Sequence, residues 1–286
     1  MKSFIKIGAW GFVLGLASSA NAQTVRVVPP APPAPPAPPS YQVMPVPAPA
    51  AVPLAPPRHF TAAEHDVGVD IARMLNTRED TARAVDGQFL TAMRAEMAKD
   101  DAYVQLEARY PGISEAVLAA TARELHRLID TRLPSLWDRL GTAYAETFDA
   151  AELARLKGLY SGPAGQALIK GLYERTDFGK MAAKGYEHPD AAISADDIRE
   201  VLGPGAGAAA VAGLPPEMRR ELMDISVSPI GLKLHRLGPR LTQIAADWGN
   251  ELQKQEQQQV RDVVLQAAID YMAKADAARR APGPRK

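Results

Sequence analysis

Cysteine is absent from all 286 residues. In an exported chain this excludes disulfides and a lipid-modified N-terminal cysteine, so stability has to come from a packed core. An excess charge of one sign is absent too: Lys+Arg and Asp+Glu each number 33. With no net basic field, nucleic acid is not an expected partner. Removing Lys2 and Lys6 with a cleaved leader leaves the remainder slightly acidic. The apolar run from Ile7 to Leu16 is about half the ~20 residues a membrane-crossing helix needs, so no stable transmembrane segment is expected once it is cleaved. Beyond Pro57 no strand pattern is present; the apolar residues recur at helical period.

What is present begins with an export signal. Lys2 and Lys6 precede the apolar run, and a small-residue stretch ends Ala20-Asn21-Ala22. That order predicts residues 1–22 to be a signal peptide cleaved after Ala22, leaving Gln23 first and the protein periplasmic or secreted. Residues 23–58 form a Pro/Ala-rich linker, with Pro-Pro-Ala repeated at Pro29, Pro32 and Pro35. Proline fixes φ and lacks an N–H, which excludes helix and sheet here. An extended polyproline II spacer is expected, disordered as a chain and reaching on the order of 90 Å. A ligand for a proline-binding groove is the sharper alternative.

Residues 59–278 are expected to be one all-α, multi-helix domain, followed by a basic disordered tail at 279–286. Thr61 and Glu64 form a capping box for a helix to about Leu75. A second helix is expected from Glu79 to Ala98, with Val85, Phe89, Met93 and Met97 as its stripe. A short one covers Asp101 to Tyr110. Ser114 is read as the cap of the next, which Pro134 breaks or restarts. Asp149 and Glu152 cap the following start, with Phe148 at the hydrophobic-staple position. A long helix from Leu241 to about Ala278 closes the domain. Its all-polar stretch Gln253 to Gln259 is expected to project or to lie across the surface.

One construction occurs twice. Tyr160-Ser161-Gly162-Pro163-Ala164-Gly165 ends one helix and opens the next, and Ser228-Pro229-Ile230-Gly231 repeats its Pro-x-Gly. The interval from Pro163 to Pro229 also carries Leu156, Leu159 and Leu168 onto Leu222, Ile225 and Leu234, and Phe148 onto Leu214. Proline suits a first helical turn. Gly165 gives up helix propensity there, which a close approach by a neighbouring helix explains. The reading is a degenerate duplication of a helix–break–helix hairpin, with Gly203 to Gly207 as the joint before the second copy.

These residues resemble the family called domain of unknown function 2059. Glu152-Leu153, then Tyr160-Ser161-Gly162-Pro163-Ala164-Gly165-Gln166, is similar to its acidic-Leu helix, aromatic pair and Ser-Pro-x-Gly. Ser228, Pro229, Gly231, Lys233 and Leu234, followed by Pro239, Leu241 and Trp248, are similar to its later part. Gly162 replaces the serine before the first proline, and Ile225-Ser226 replaces the second aromatic pair. The likeness spans about residues 125–252. It implies an exported bacterial helical protein, often periplasmic, and no catalytic residues.

Motifs for chemistry are sparse. Ser161 lacks the first glycine of a G-x-S-x-G elbow and the strand before it; helix capping is the expected role. Beyond the predicted signal peptide no S-x-x-K occurs, and no H-E-x-x-H is present. The histidines are His59, His65, His126, His188 and His235. His65, Asp66 and Asp70 on one side of the first helix, and the loose pair of His188 with Asp190, are better read as surface groups. Asp190, Asp196, Asp197 and Glu200 make an acidic patch, in which Ser194 and Asp197 read as a helix cap rather than paired catalytic carboxylates. Gly203 to Gly207 lacks the Lys-Ser/Thr of a phosphate loop. The expectation is therefore a non-enzymatic interaction or scaffolding module of the envelope with a protein partner and no metal or cofactor. The two bends at Tyr160, Ser161, Pro163 and Gly165 and at Ser228, Pro229 and Gly231 are its candidate surface. A carrier of an apolar ligand and an envelope hydrolase are the alternatives.

Overall fold

The computed structural model describes residues 58–187, 191–203, 205–251 and 254–280, and these are all-α, with no strand among them. The predicted signal, nearly all of the linker, and most of the basic tail lie outside the described residues, as do His188 and Asp190.

The chain enters the body through a clamp. The Arg58 N–H donates to Glu146 O at 3.2 Å, and its guanidinium donates to Ala145 O at 2.8 Å and Phe148 O at 2.6 Å. It also pairs with Glu64. Helix α1 (Ala62–Leu75) then starts on the predicted capping box of Thr61 and Glu64. The hydrogen bond from the Thr61 N–H, and then the one from Arg58, hold the Glu64 carboxyl below its ordinary range.

The predicted Glu79–Ala98 helix is interrupted. It consists of α2 (Arg78–Ala84), a π-helical turn at Val85–Phe89, and α3 (Leu90–Met97). The wider turn lets Val85 and Phe89 both bury while Asp86 and Gly87 stay exposed. Helix α4 (Asp101–Arg109) ends at Tyr110.

Helix α5 (Ile113–Thr147) is the 35-residue spine, about 52 Å long at 1.5 Å per residue. Its start corrects the expected Ser114 cap: Gly112, at φ 93°, precedes the helix, and Glu107 accepts from the Gly112 and Ser114 N–H groups. Pro134 neither breaks nor restarts it. A proline inside a helix costs about 3 kcal/mol. Here Pro134 faces solvent, while Leu133, Leu136 and Leu140 bury at about 1.5–3 kcal/mol each and hold the helix through.

The first hairpin is α6 (Ala150–Ser161) and α7 (Pro163–Arg175), opened by the expected Asp149–Glu152 capping box. Then come α8 (Phe178–Glu187), α9 (Ala195–Leu202) and α10 (Ala206–Ala212). The supposed joint at Gly203 to Gly207 thus runs directly into a short helix. The second hairpin is α11 (Pro216–Ser226) and α12 (Pro229–Asn250). The expected single helix from Leu241 to Ala278 is instead the end of α12 and a separate α13 (Lys254–Arg280). The polar stretch from Lys254 onward is the opening of α13, and Val260 and Val264 bury it against α5.

The spine organises the packing. Helices α1, α12 and α13 lie along α5. The α1–α5 crossing is a glycine contact: a Cβ on Gly68 would overlap Gly141 O, and one on Gly141 would stand 2.7 Å from Val69 N. Gly158 on α6, by contrast, has open space around it. Gly141→Ala is expected to lower stability by about 2 kcal/mol through forced separation of the two backbones. Gly158→Ala should raise it by about 0.5–1 kcal/mol through helix propensity. Urea unfolding of the two variants reads both signs.

Candidate functional site

The two hairpins are the same backbone device. Helices α6 and α11 start at Ala150 and Pro216, and α7 and α12 at Pro163 and Pro229, so both pairs are separated by one and the same interval. At the first bend a Cβ on Gly165 would overlap Leu159 O and stand 2.7 Å from Tyr160 Cα. At the second, a Cβ on Gly231 would overlap Ile225 O and stand 2.6 Å from the Ser226 carbonyl carbon. Leu159 and Ile225 are equivalent positions in this register, as are Tyr160 and Ser226. The close neighbour that requires glycine is therefore the end of the preceding helix. The proline at N1 turns the chain at once, and the glycine lets the new helix abut the old one.

Their polar details differ. At the first bend Gly162, without a side chain, is the cap of both helices, and Ser161 Oγ donates to Gly158 O at 3.2 Å. At the second, Ser228 Oγ donates to Ile225 O at 2.6 Å and accepts from the Gly231 N–H at 3.3 Å. Ser161, Pro163 and Pro229 are exposed and Ser228 is half-buried, whereas Tyr160, Gly165 and Gly231 are buried. Burial pushes the Tyr160 phenol up to about 12, so it stays neutral in the core.

The surfaces differ more. Met223, Val227 and Leu232 flank the second bend with 59%, 77% and 55% of their area exposed. Their counterparts in the first hairpin are Lys157, Ser161 and Gln166. Lys157 Nζ donates to Asp70 at 2.7 Å, tying α6 to α1, and Gln166 Nε2 donates to Tyr160 O at 2.6 Å. The same backbone positions thus carry polar groups at one bend and apolar ones at the other. Both bends are legible in the sequence, whereas motif reading passes over these three residues. The register of the repeat, extended by a few positions, contains the signal.

The remaining candidates resolve into structural contacts. Ser194 and Asp197 form a capping box at α9, and Lys184 pairs with Asp197. Burial pushes the Asp197 carboxyl up, but hydrogen bonds from Lys184 and Ser194 outweigh it and leave it below its ordinary 3.8. Asp196 pairs with Arg199 at 2.5 Å, and Glu200 is exposed. His65 faces Asp138 at 3.4 Å and His126 faces Asp86 at 3.0 Å. Asp70 is taken by Lys157, Asp66 is exposed, and His59 and His235 are exposed on the surface. Among the described residues no group of three His, Asp or Glu is placed to hold a metal ion, and no helix is long and apolar enough to cross a membrane. Met93 and Met97, from the predicted apolar stripe, are buried in the core.

Comparison with protein-family models, curated proteins and solved structures returns no match to this chain.

Gly231→Ala and Gly165→Ala should each lower stability by about 1–3 kcal/mol, because the atoms a methyl would meet are backbone rather than movable side chain. Thermal melts of both variants beside Gly158→Ala check this. Because the folded Asp197 pKa is depressed, its contribution is present above about pH 4 and lost as pH falls through the folded value. Asp197→Asn should therefore lower stability at pH 7 and flatten the acid limb of a stability-against-pH curve. A parallel downward shift at every pH would contradict it.

Proposed function

We propose that this chain is an exported, non-enzymatic helical module of the bacterial envelope that binds a protein partner through the bend between α11 and α12. The observation that carries the reading is the exposed trio Met223, Val227 and Leu232, set where the first hairpin has Lys157, Ser161 and Gln166. Three large apolar side chains are left more than half exposed around one bend, and exposed apolar clusters mark interaction sites. Once covered, each contributes on the order of 1 kcal/mol or more. Export is supported by Lys2, Lys6, the apolar run and Ala20-Asn21-Ala22 at the N-terminus. The resemblance to the domain of unknown function 2059 family, carried by the bend residues, supports the same compartment.

The test is a photoreactive amino acid at Val227 and, in parallel, at Ser161, in the full-length chain within its native envelope. One partner, identified by mass spectrometry, is expected from position 227 and not from 161. Adding Met223→Lys and Leu232→Gln, the residues of the first bend, should cut the adduct about tenfold or more. Equal adducts at both positions, or an adduct indifferent to the two substitutions, would sink the reading.

A further inference from the structure

Helix α11 buries Leu222 and turns its opposite ridge outward. Arg220, Met223 and Val227 stand on that ridge at i, i+3 and i+7, so helical geometry alone makes them neighbours. Arg220 is exposed, and Met223 and Val227 are more than half exposed. Asp224, also exposed, adjoins the ridge one turn after Arg220. Neither Arg220 nor Asp224 enters an ion pair among the described residues. They stand four apart with the cation first, the weaker order for a pair within one helix. In the first hairpin the same four positions are Ala154, Lys157, Gly158 and Ser161, and Lys157 is taken up by Asp70 of α1.

The α11 ridge is complementary to itself. Two such helices laid antiparallel, with the two-fold axis crossing opposite Leu222, bring Arg220 of each chain to Asp224 of the other, because both lie two residues from the centre. The same register sets the two Met223 side chains against each other near the centre and Val227 against Pro216 beyond it. The charges that find no partner in one chain find one in the second, on either side of the exposed apolar residues.

We infer that α11 is a self-association surface, on which a second copy of this chain docks antiparallel through reciprocal Arg220–Asp224 pairs around Met223 and Val227. The inference rests on the reading of the α11–α12 bend as an interaction surface and names its partner. A contact confined to one 11-residue helix falls short of the ~800 Å² per partner of a standard interface, so the dimer is a weak one that forms at micromolar concentrations. The reciprocal pairs fix register and direction more than they add affinity.

Sedimentation velocity of the full-length chain over a concentration series reads the dimer. Arg220→Asp and Asp224→Arg, both at exposed positions, should each weaken dimerisation about tenfold or more while circular dichroism stays unchanged. An equimolar mixture of the two variants should dimerise about as tightly as the wild type, because each chain then meets opposite charge at both pairs. Pairing within one helix cannot give that result, since each variant carries the same sign at both positions. A wild-type chain still monomeric at on the order of 100 µM overturns the inference. So do single variants that dimerise like the wild type, or weakened variants whose mixture stays weak. If the chain is monomeric while the photoreactive group at Val227 captures a different protein and loses it on Met223→Lys, only the self-association fails and the interaction surface stands.

Discussion

The α1–α5 crossing is the constraint on which the rest of the molecule depends. Gly68 and Gly141 meet backbone to backbone, closer than any side chain on either helix would permit. This draws α1 onto the spine, where Ile71 and Leu75 are buried, and brings Asp70 within reach of Lys157. The Arg58 clamp and the start of α6 sit at the end of the same spine. A wider crossing would loosen all of them together, because interiors close-packed to this degree transmit displacement rather than absorb it.

The hairpin bend shows how a backbone solution can be reused while its surface is rewritten. Proline at the first helical position and glycine two residues later satisfy the geometry of abutting helix ends in both copies. Nothing in that geometry dictates what stands at the outward positions. In the first copy those positions are held by contacts to α1 and to the bend itself, through Lys157 and Gln166. In the second they are apolar and exposed. Function, in this reading, lies in the difference between the copies rather than in the motif they share.

Polar groups that looked like chemistry serve the fold. Asp197 closes a cap and meets Lys184, and Ser161 bonds back into its own helix. Glu107, which carried no signal, takes the N–H groups of Gly112 and Ser114, and Tyr271 of α13 donates to Pro111 O at the same turn. A carboxylate within hydrogen-bond reach of unpaired N–H groups goes to them, because leaving those groups unpaired costs more than the bond returns.

The sequence by itself determined the all-α class, the caps at Thr61 and Asp149, and the two bends, because each is written in residues within one or two helical turns of one another. It misjudged Pro134, Ser114 and the π turn at Val85–Phe89. Local propensity disfavours a proline in a helix, and only the burial of Leu133 and Leu136 against other helices overrides it. It also could not say which apolar residues would be left outside. Met223 and Leu222 are adjacent and equally apolar, yet one is 59% exposed and the other 8%. That distinction belongs to tertiary structure alone, since it depends on which face of α11 the rest of the chain covers.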